Sequence, residues 1–190
     1  FNMDNPRLKI EKLLFLADCG VNRTESLSAA CRLIKLGDNP NLLRRVKCKY
    51  NMESEADDSL WLKRADELFS RAKRNYEAWL TVESINVVEA ERRLYSKLGK
   101  LHYYSGDLDK AFEYHLQELA HCTMVNQRID SNMKLILVSL KRGKLEDVLK
   151  WVNETRTRHG PLESIVAAQV ACAHALSHMG LREYKSAALE

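Results

Sequence analysis

The sequence has few residues that interrupt helices and no segment suited to a membrane span. Its 190 residues include only three prolines and seven glycines, the residues that most disfavour a helix interior. β-Branched residues do not alternate with polar ones over a useful length, so we predict no β-strand. No apolar run approaches the roughly 18 residues that a transmembrane helix needs, and no signal peptide is recognisable. A composition of 45% hydrophobic and 29% charged residues is typical of a helix-rich globular chain.

Charge and motif content exclude several functional classes. The formal net charge is +4, from 30 basic and 26 acidic residues that are interspersed along the chain. Nucleic-acid-binding domains cluster their basic residues on one face, so we expect neither a nucleic-acid nor a membrane partner. The sequence contains no glycine-rich phosphate loop, no H-E-x-x-H motif and no nucleophile elbow. We therefore predict no catalytic residue, no cofactor and no enzymatic activity.

The cysteines and histidines do not form a recognisable metal motif. The five cysteines are Cys19, Cys31, Cys48, Cys122 and Cys172. Their number is odd and none forms a C-x-x-C pair, so we interpret them as buried free thiols of a reducing compartment rather than as disulfides or zinc ligands. His174 and His178 have the helical spacing that can bind a metal. Because no Glu follows the first histidine and no third ligand is implied, we predict no metal site.

The segment 98–114 has the pattern of a helical hairpin. Gly99 lets a neighbouring helix approach closely, and Gly106 ends the first helix in a left-handed conformation that glycine adopts readily. Asp107 then caps the next helix, and the small Ala111 lies where the two helices cross. This order is typical of tetratricopeptide repeats.

Two positions in or just after that segment depart from the repeat pattern, whereas the spacing of three glycines along the chain supports the pattern. His102 takes the usual aromatic position and Glu118 a usual small position. Gly106, Gly143 and Gly180 are separated by 37 residues each. A period in the thirties predicts an all-α fold, a right-handed superhelical solenoid of tetratricopeptide-like helix-turn-helix repeats. The alternative is chance spacing of glycines in an ordinary helical domain.

Hydrophobic periodicity divides the chain into three parts. We predict helical hairpins over residues 1–50, an acidic linker over 51–59, and a long helix followed by repeats over 60–190. The aromatic residues of the long helix are expected in the core: Trp61, Phe69, Tyr76 and Trp79. Phe1 stands where an initiator methionine is usual, and Glu190 falls within a helical pattern, so we expect a fragment of a longer protein.

The densest basic run is the candidate partner-binding site. It comprises Arg44, Arg45, Lys47 and Lys49. One interpretation is a solvated face near the acidic linker, and the other is a basic edge that binds phosphate or an acidic protein surface.

Three segments together resemble the COP9 signalosome subunit 1 family. Residues 8–19 resemble a segment near the start of that family, and residues 105–111 and 121–123 resemble two later elements of it. The resemblance covers nearly the whole chain and is weakest over 38–80. The proteasome-lid paralogue shares the same architecture, while the Ala-Asp-Cys and Cys-Thr elements favour the signalosome member.

The resemblance implies a non-catalytic scaffold. It implies an N-terminal arc of helical repeats here, with a PCI module expected beyond residue 190. The complex removes Nedd8 from cullins with a zinc isopeptidase site on another subunit, so the expected partners are other signalosome subunits and cullin-RING ligase components, in nucleus and cytoplasm. The alternatives are the proteasome-lid paralogue, an unrelated tetratricopeptide-like adaptor, or a helical enzyme or ligand-binding domain that uses His174 and His178 or the basic run.

Overall fold

The described part of the protein is built from helices alone. The computed structural model describes residues 6–37, 39–53, 56–81, 88–158 and 162–188, and this part contains no strand, which confirms the all-α prediction. The helices are α1 (Pro6–Asp18), α2 (Arg23–Lys35), α3 (Pro40–Tyr50), α4 (Ala56–Thr81), α5 (Val88–Ser105), α6 (Leu108–Ala120), α7 (Val125–Arg142), α8 (Leu145–Arg158), α9 (Ser164–Gly180) and α10 (Tyr184–Ala187). No described helix has an apolar stretch long enough to cross a bilayer.

Side chains cap two of these helices at their first turn. The Asn39 side chain accepts a hydrogen bond from the Leu42 N–H at 2.9 Å, ahead of Pro40 at the first position of α3. Asp107 accepts one from the Lys110 N–H at 3.3 Å, as predicted for α6. These caps satisfy backbone N–H groups that have no partner within the helix.

The three equally spaced glycines do not have the same role. Gly106 and Gly143 end α5 and α7 with φ of +86° and +72°, the left-handed conformation that favours glycine. Gly180 is the last residue of α9, and the left-handed residue of the following turn is Arg182, with φ of +63°. At Gly180 the Leu145 side chain fills the space that a Cβ would take, so that glycine serves close packing.

The predicted acidic linker is shorter than expected. Helix α4 begins at Ala56, so residues 56–59 are helical, while the assignment of 54–55 lies outside the described residues. Asp57 and Asp58 lie in the first turn of α4, where the helix dipole favours acidic side chains, and both pair with Lys35 of α2. The acidic composition that suggested a linker is thus the acidic start of a helix.

The chain divides into two compact units, residues 1–72 with 104–106, and residues 73–103 with 107–190. The first has a core supplied mainly by α1, α2 and α3: Ile10, Ala17, Leu27, Cys31, Ile34, Leu43 and Val46. Trp61 of α4 packs against this core, and its indole N–H donates to the Lys35 carbonyl at 3.1 Å. The prediction that Trp61 is a core aromatic therefore agrees with its position.

The second unit has a core supplied by α7, α8 and α9: Leu135, Ile136, Val148, Trp151, Val152, Val170 and Ala173. Phe112 and Leu116 of α6 pack against it, and the Phe112 ring meets Trp151 edge-on at 6.5 Å between centroids. Trp79 is 59% exposed, so its assignment to the core was wrong.

The five cysteines are free thiols, but most are not buried. Cys31 and Cys122 are buried, whereas Cys19, Cys48 and Cys172 are exposed. The prediction of buried thiols was therefore wrong for three of the five. Their helical positions do not by themselves distinguish the inner from the outer face.

Replacing Gly99 by alanine should destabilise the second unit. Gly99 lies on α5 against the imidazole of His115, and a Cβ at this position would lie 2.5 Å from His115 Cε1. His115 is buried, so we expect Gly99→Ala to lower the free energy of unfolding by about 1–3 kcal/mol, as measured by urea denaturation.

The neighbouring Lys100→Ala is the matched control, because Lys100 is exposed on the same helix. Alanine is the better helix former than glycine by about 1 kcal/mol. A Gly99→Ala variant that is about 1 kcal/mol more stable than the parent would therefore show that the added Cβ has no steric cost and that this close approach is not required.

Candidate interaction surface

The structure separates the four basic residues of the predicted site. All four lie on α3, but their environments differ. Arg44, Arg45 and Lys49 are exposed, whereas Lys47 is only 7% exposed. The four therefore do not form one solvated basic face.

Lys47 has a structural role in the first unit. Its ammonium contacts the Asp58 carboxylate and donates to the backbone carbonyl of Glu53 at 3.0 Å. Lys35 of α2 pairs with the same carboxylate. Burial alone would raise the pKa of Asp58, but the hydrogen bonds from Lys35 and Lys47 outweigh it and lower that pKa. Lys47 thus links α3 to α4, and its assignment as a partner-binding residue is corrected.

Two of the other basic residues form ion pairs at the surface. Lys49 Nζ donates to both oxygens of Asp18 at 2.9 Å, and this hydrogen bond lowers the pKa of Asp18. Arg44 pairs with Asp66 and donates to Asn41 Oδ1 at 3.1 Å. Exposed ion pairs contribute little net stability, so these side chains can exchange their partner for another at small cost.

Arg45 differs from its neighbours, because among the described residues its guanidinium forms no ion pair. It lies four residues before Lys49, so both project from one side of α3. We define the α3 basic edge as Arg44, Arg45 and Lys49. This is the part of the predicted site that remains accessible.

An exposed apolar surface lies on α9 and was missed in the sequence. Ile165 is 72% exposed, and Leu176 and Met179 are also exposed. They lie 11 and 14 positions after Ile165, which places all three on one side of the helix. We define them as the α9 apolar stripe. Because α9 is apolar on nearly every side, its sequence resembles a buried helix. Exposed apolar side chains on one side of a helix offer area that a partner could bury.

A buried carboxylate, Glu118, joins α5, α6 and α7. Its exposed fraction is 0%. Glu118 accepts hydrogen bonds from His115 Nδ1 at 2.8 Å and from Lys134 Nζ at 2.5 Å, and Arg92 Nη1 lies 3.5 Å from its Oε1. Lys134 also donates to Ser96 Oγ at 3.0 Å. Every neighbour of the carboxylate in this set is therefore a hydrogen-bond donor or a cation.

This environment keeps Glu118 ionised. Burial alone would raise its pKa, but the hydrogen bonds from His115 and Lys134 and the charge of Lys134 outweigh burial and lower that pKa to about 2. A general acid or base needs a pKa near the working pH. The geometry therefore assigns Glu118 a structural role rather than an acid–base role.

The predicted histidine pair is in contact. His174 Nε2 and His178 Nε2 lie 3.2 Å apart, and the rings meet edge-on with centroids 4.4 Å apart. His178 Nδ1 lies 2.6 Å from Glu183 Oε2. Within the residues that the structure describes, no group of three or more His, Cys, Asp or Glu side chains is arranged to hold a metal ion.

Replacing Glu118 by glutamine should destabilise the second unit in a pH-dependent way. The substitution keeps the size of the side chain but leaves Lys134 and Arg92 without their shared anion. We expect the free energy of unfolding at neutral pH to fall by about 3 kcal/mol. The folded pKa of Glu118, about 2, is below its ordinary value of 4.5. Its contribution is therefore complete above about pH 4.5 and is lost as the pH falls toward 2.

Urea denaturation of both proteins between pH 7 and pH 2.5 measures this effect. The stability difference between parent and Glu118→Gln should narrow through that acid range. Glu113→Gln, an exposed position on the same helix, is the control and should change little at any pH. A difference that is constant with pH would contradict the assigned ionisation of Glu118.

Comparison with known proteins identifies a relative of this chain. It is 32% identical over 190 residues to COP9 signalosome complex subunit 1 of Arabidopsis thaliana, an alignment that covers 96% of this chain and 43% of that protein. The chain therefore spans less than half the length of this relative. The similarity confirms the resemblance that the sequence segments indicated.

A family model extends over the larger part of the chain. Residues 58–190 match the family described as 26S proteasome subunit RPN7. This range includes most of α4 and all of α5 to α10, and thus the glycine turns that suggested repeats. Since the match covers more than half of the residues, the chain belongs to the 26S proteasome subunit RPN7 family.

Proposed function

We propose that this chain is a scaffold and interaction region of a COP9 signalosome subunit. In this role it supports assembly of the complex that removes Nedd8 from cullins of cullin-RING ubiquitin ligases. The observation that carries the proposal is the extent of the similarity. Alignment with the signalosome subunit covers 96% of the chain, whereas the match to the shared family begins only at residue 58. The alignment thus includes most of the N-terminal helices.

The internal electrostatics support a scaffold rather than an enzyme. The buried carboxylates in the described part of the chain, Asp58 and Glu118, are each held by two or more donors or cations. These contacts lower the pKa of both groups and join helices to one another. We propose that the zinc isopeptidase site of the complex belongs to another subunit and that this chain contributes binding surfaces.

Two surfaces are suited to partners. The α3 basic edge has the charge to steer an acidic partner surface, such as that of a neighbouring subunit or a cullin-RING ligase component. The α9 apolar stripe offers exposed area that association could bury. A PCI module after this region and residence in nucleus and cytoplasm are part of the same proposal.

The second candidate is a subunit of the 26S proteasome lid. The description of the matching family favours it, since that family is named for a proteasome subunit. The two candidates share a helical fold and differ in the complex that they join, so companion subunits distinguish them.

Affinity purification of the tagged protein from its own cells, with mass spectrometry of the co-purifying proteins, tests the proposal. Signalosome subunits in near-equal amounts, accompanied by cullins, would support it. Proteasome-lid subunits would show the second candidate to be right. If neither set of subunits is recovered, both candidate functions are contradicted, and the remaining interpretation is an unrelated helical adaptor.

Reversing the charge of the α3 basic edge should weaken assembly without unfolding the chain. We expect Arg45→Glu to reduce the affinity for companion subunits by about fivefold, because a charge at an interface rim contributes about 1 kcal/mol. The reduction should be larger at low salt than at high salt. Biolayer interferometry against the purified partner complex measures both quantities.

Lys12→Glu is the matched control, an exposed lysine of α1 whose reversal changes the net charge equally. Equal weakening by the two variants would indicate a general charge effect and exclude the α3 basic edge as a contact site. Circular dichroism should show the same helix content for both.

A further inference from the structure

We propose that His174 and His178 form a two-imidazole binding site for a divalent transition-metal ion such as Ni²⁺ or Zn²⁺. The site lies on the last two turns of α9 and is supported by Glu183, which follows that helix. The proposal is independent of the complex to which the chain belongs. It revises the prediction from the sequence, which assigned these histidines no metal.

The separation of the two nitrogens suits chelation. Imidazole nitrogens bind Zn²⁺ at about 2.0–2.1 Å, so two of them in tetrahedral coordination lie about 3.3–3.4 Å apart. In this protein the Nε2 atoms of His174 and His178 lie 3.2 Å apart. The helix holds residues at this spacing on one face, so an ion requires little rearrangement to bind both.

Glu183 prepares His178 to act as a ligand. The Glu183 carboxylate lies 2.6 Å from His178 Nδ1, which therefore carries the proton and donates it. In that tautomer Nε2 of His178 carries a lone pair, and it faces His174 Nε2. Metal-binding histidines commonly donate their second N–H to a carboxylate, which fixes the ring and increases ligand basicity.

A proton now occupies the place that the ion would take. The close contact of the two Nε2 atoms requires one of them to donate, and with His178 accepting, the donor is His174 Nε2–H. On metal binding His174 would lose the Nε2 proton and take one at Nδ1, so both Nε2 lone pairs point to the ion. The net proton count of the pair is unchanged.

The remaining coordination positions would be filled by water. Both rings are half-buried, which leaves part of their surface open to solvent. No third His, Cys, Asp or Glu in the described residues completes a metal-binding group with them. The site is therefore a two-ligand anchor and not a closed structural centre.

Isothermal titration of the untagged chain with Ni²⁺ tests the proposal. Ni²⁺ is the suitable probe because imidazole binds it well, whereas cysteine ligands favour Zn²⁺ and Cu⁺, and Cys19, Cys48 and Cys172 are exposed. We expect one Ni²⁺ per chain. His174→Ala and His178→Ala should each abolish this binding, and Glu183→Gln should weaken it by about tenfold.

His121→Ala is the matched control, since His121 lies near Glu91 and outside the pair, and it should bind Ni²⁺ as the parent does. His178→Asn provides a second variant that can keep a side-chain N–H near Glu183 if the alanine variant loses helix content by circular dichroism. A parent chain that binds no Ni²⁺, or a well-folded variant of either histidine that binds it unchanged, would overturn the proposal.

Discussion

The second unit depends on one buried charge. Glu118 contributes a carboxylate at a position where tetratricopeptide-like repeats usually have a small residue, and α5, α6 and α7 supply its partners. An apolar contact would tolerate sliding of one helix over another, whereas a hydrogen-bonded carboxylate requires each donor at a fixed place. Desolvation makes a buried ion pair a weak source of net stability, but the loss of one partner is costly. We therefore regard the Glu118 cluster chiefly as a device that sets the relative position of three helices.

The first unit uses the same device with different residues. Asp58, in the first turn of α4, is shared by Lys35 of α2 and by Lys47 of α3. The apolar core beneath is supplied mainly by α1, α2 and α3, and this ionic contact joins the start of α4 to them together with Trp61, which packs on the same core. In both units a buried carboxylate on one helix forms ion pairs with cationic side chains of other helices. Short helices with modest apolar faces gain from such contacts, because few core residues are available to each of them.

Local features were predictable from the sequence, and distant contacts were not. The cap at Asp107 and the left-handed turn at Gly106 depend on residues within one or two turns of the chain, so the sequence pattern predicted them. The burial of Lys47 depends on Asp58, 11 residues away, and the environment of Glu118 depends on Lys134, 16 residues away. An acidic segment such as 51–59 has the composition of a linker whether or not a lysine of another helix is near. The exposure of the α9 apolar stripe was unpredictable for a related reason, since apolarity on all sides of a helix does not reveal which side is left uncovered.

The distribution of charge and apolar surface explains how such a chain can serve as a scaffold. Most charges near the cores are already satisfied within the chain, so they hold the helices and offer little to a partner. The surface that remains available includes the guanidinium of Arg45 on α3, which forms no ion pair among the described residues, and exposed apolar side chains on α9. A partner that contacts these features gains from burying apolar area. It is also attracted by the basic residues of α3, whose ion pairs within the chain contribute little stability. Helices held in place by buried ions can present these features with little loss of conformational entropy on binding, and a low entropic cost favours affinity when each contact is small.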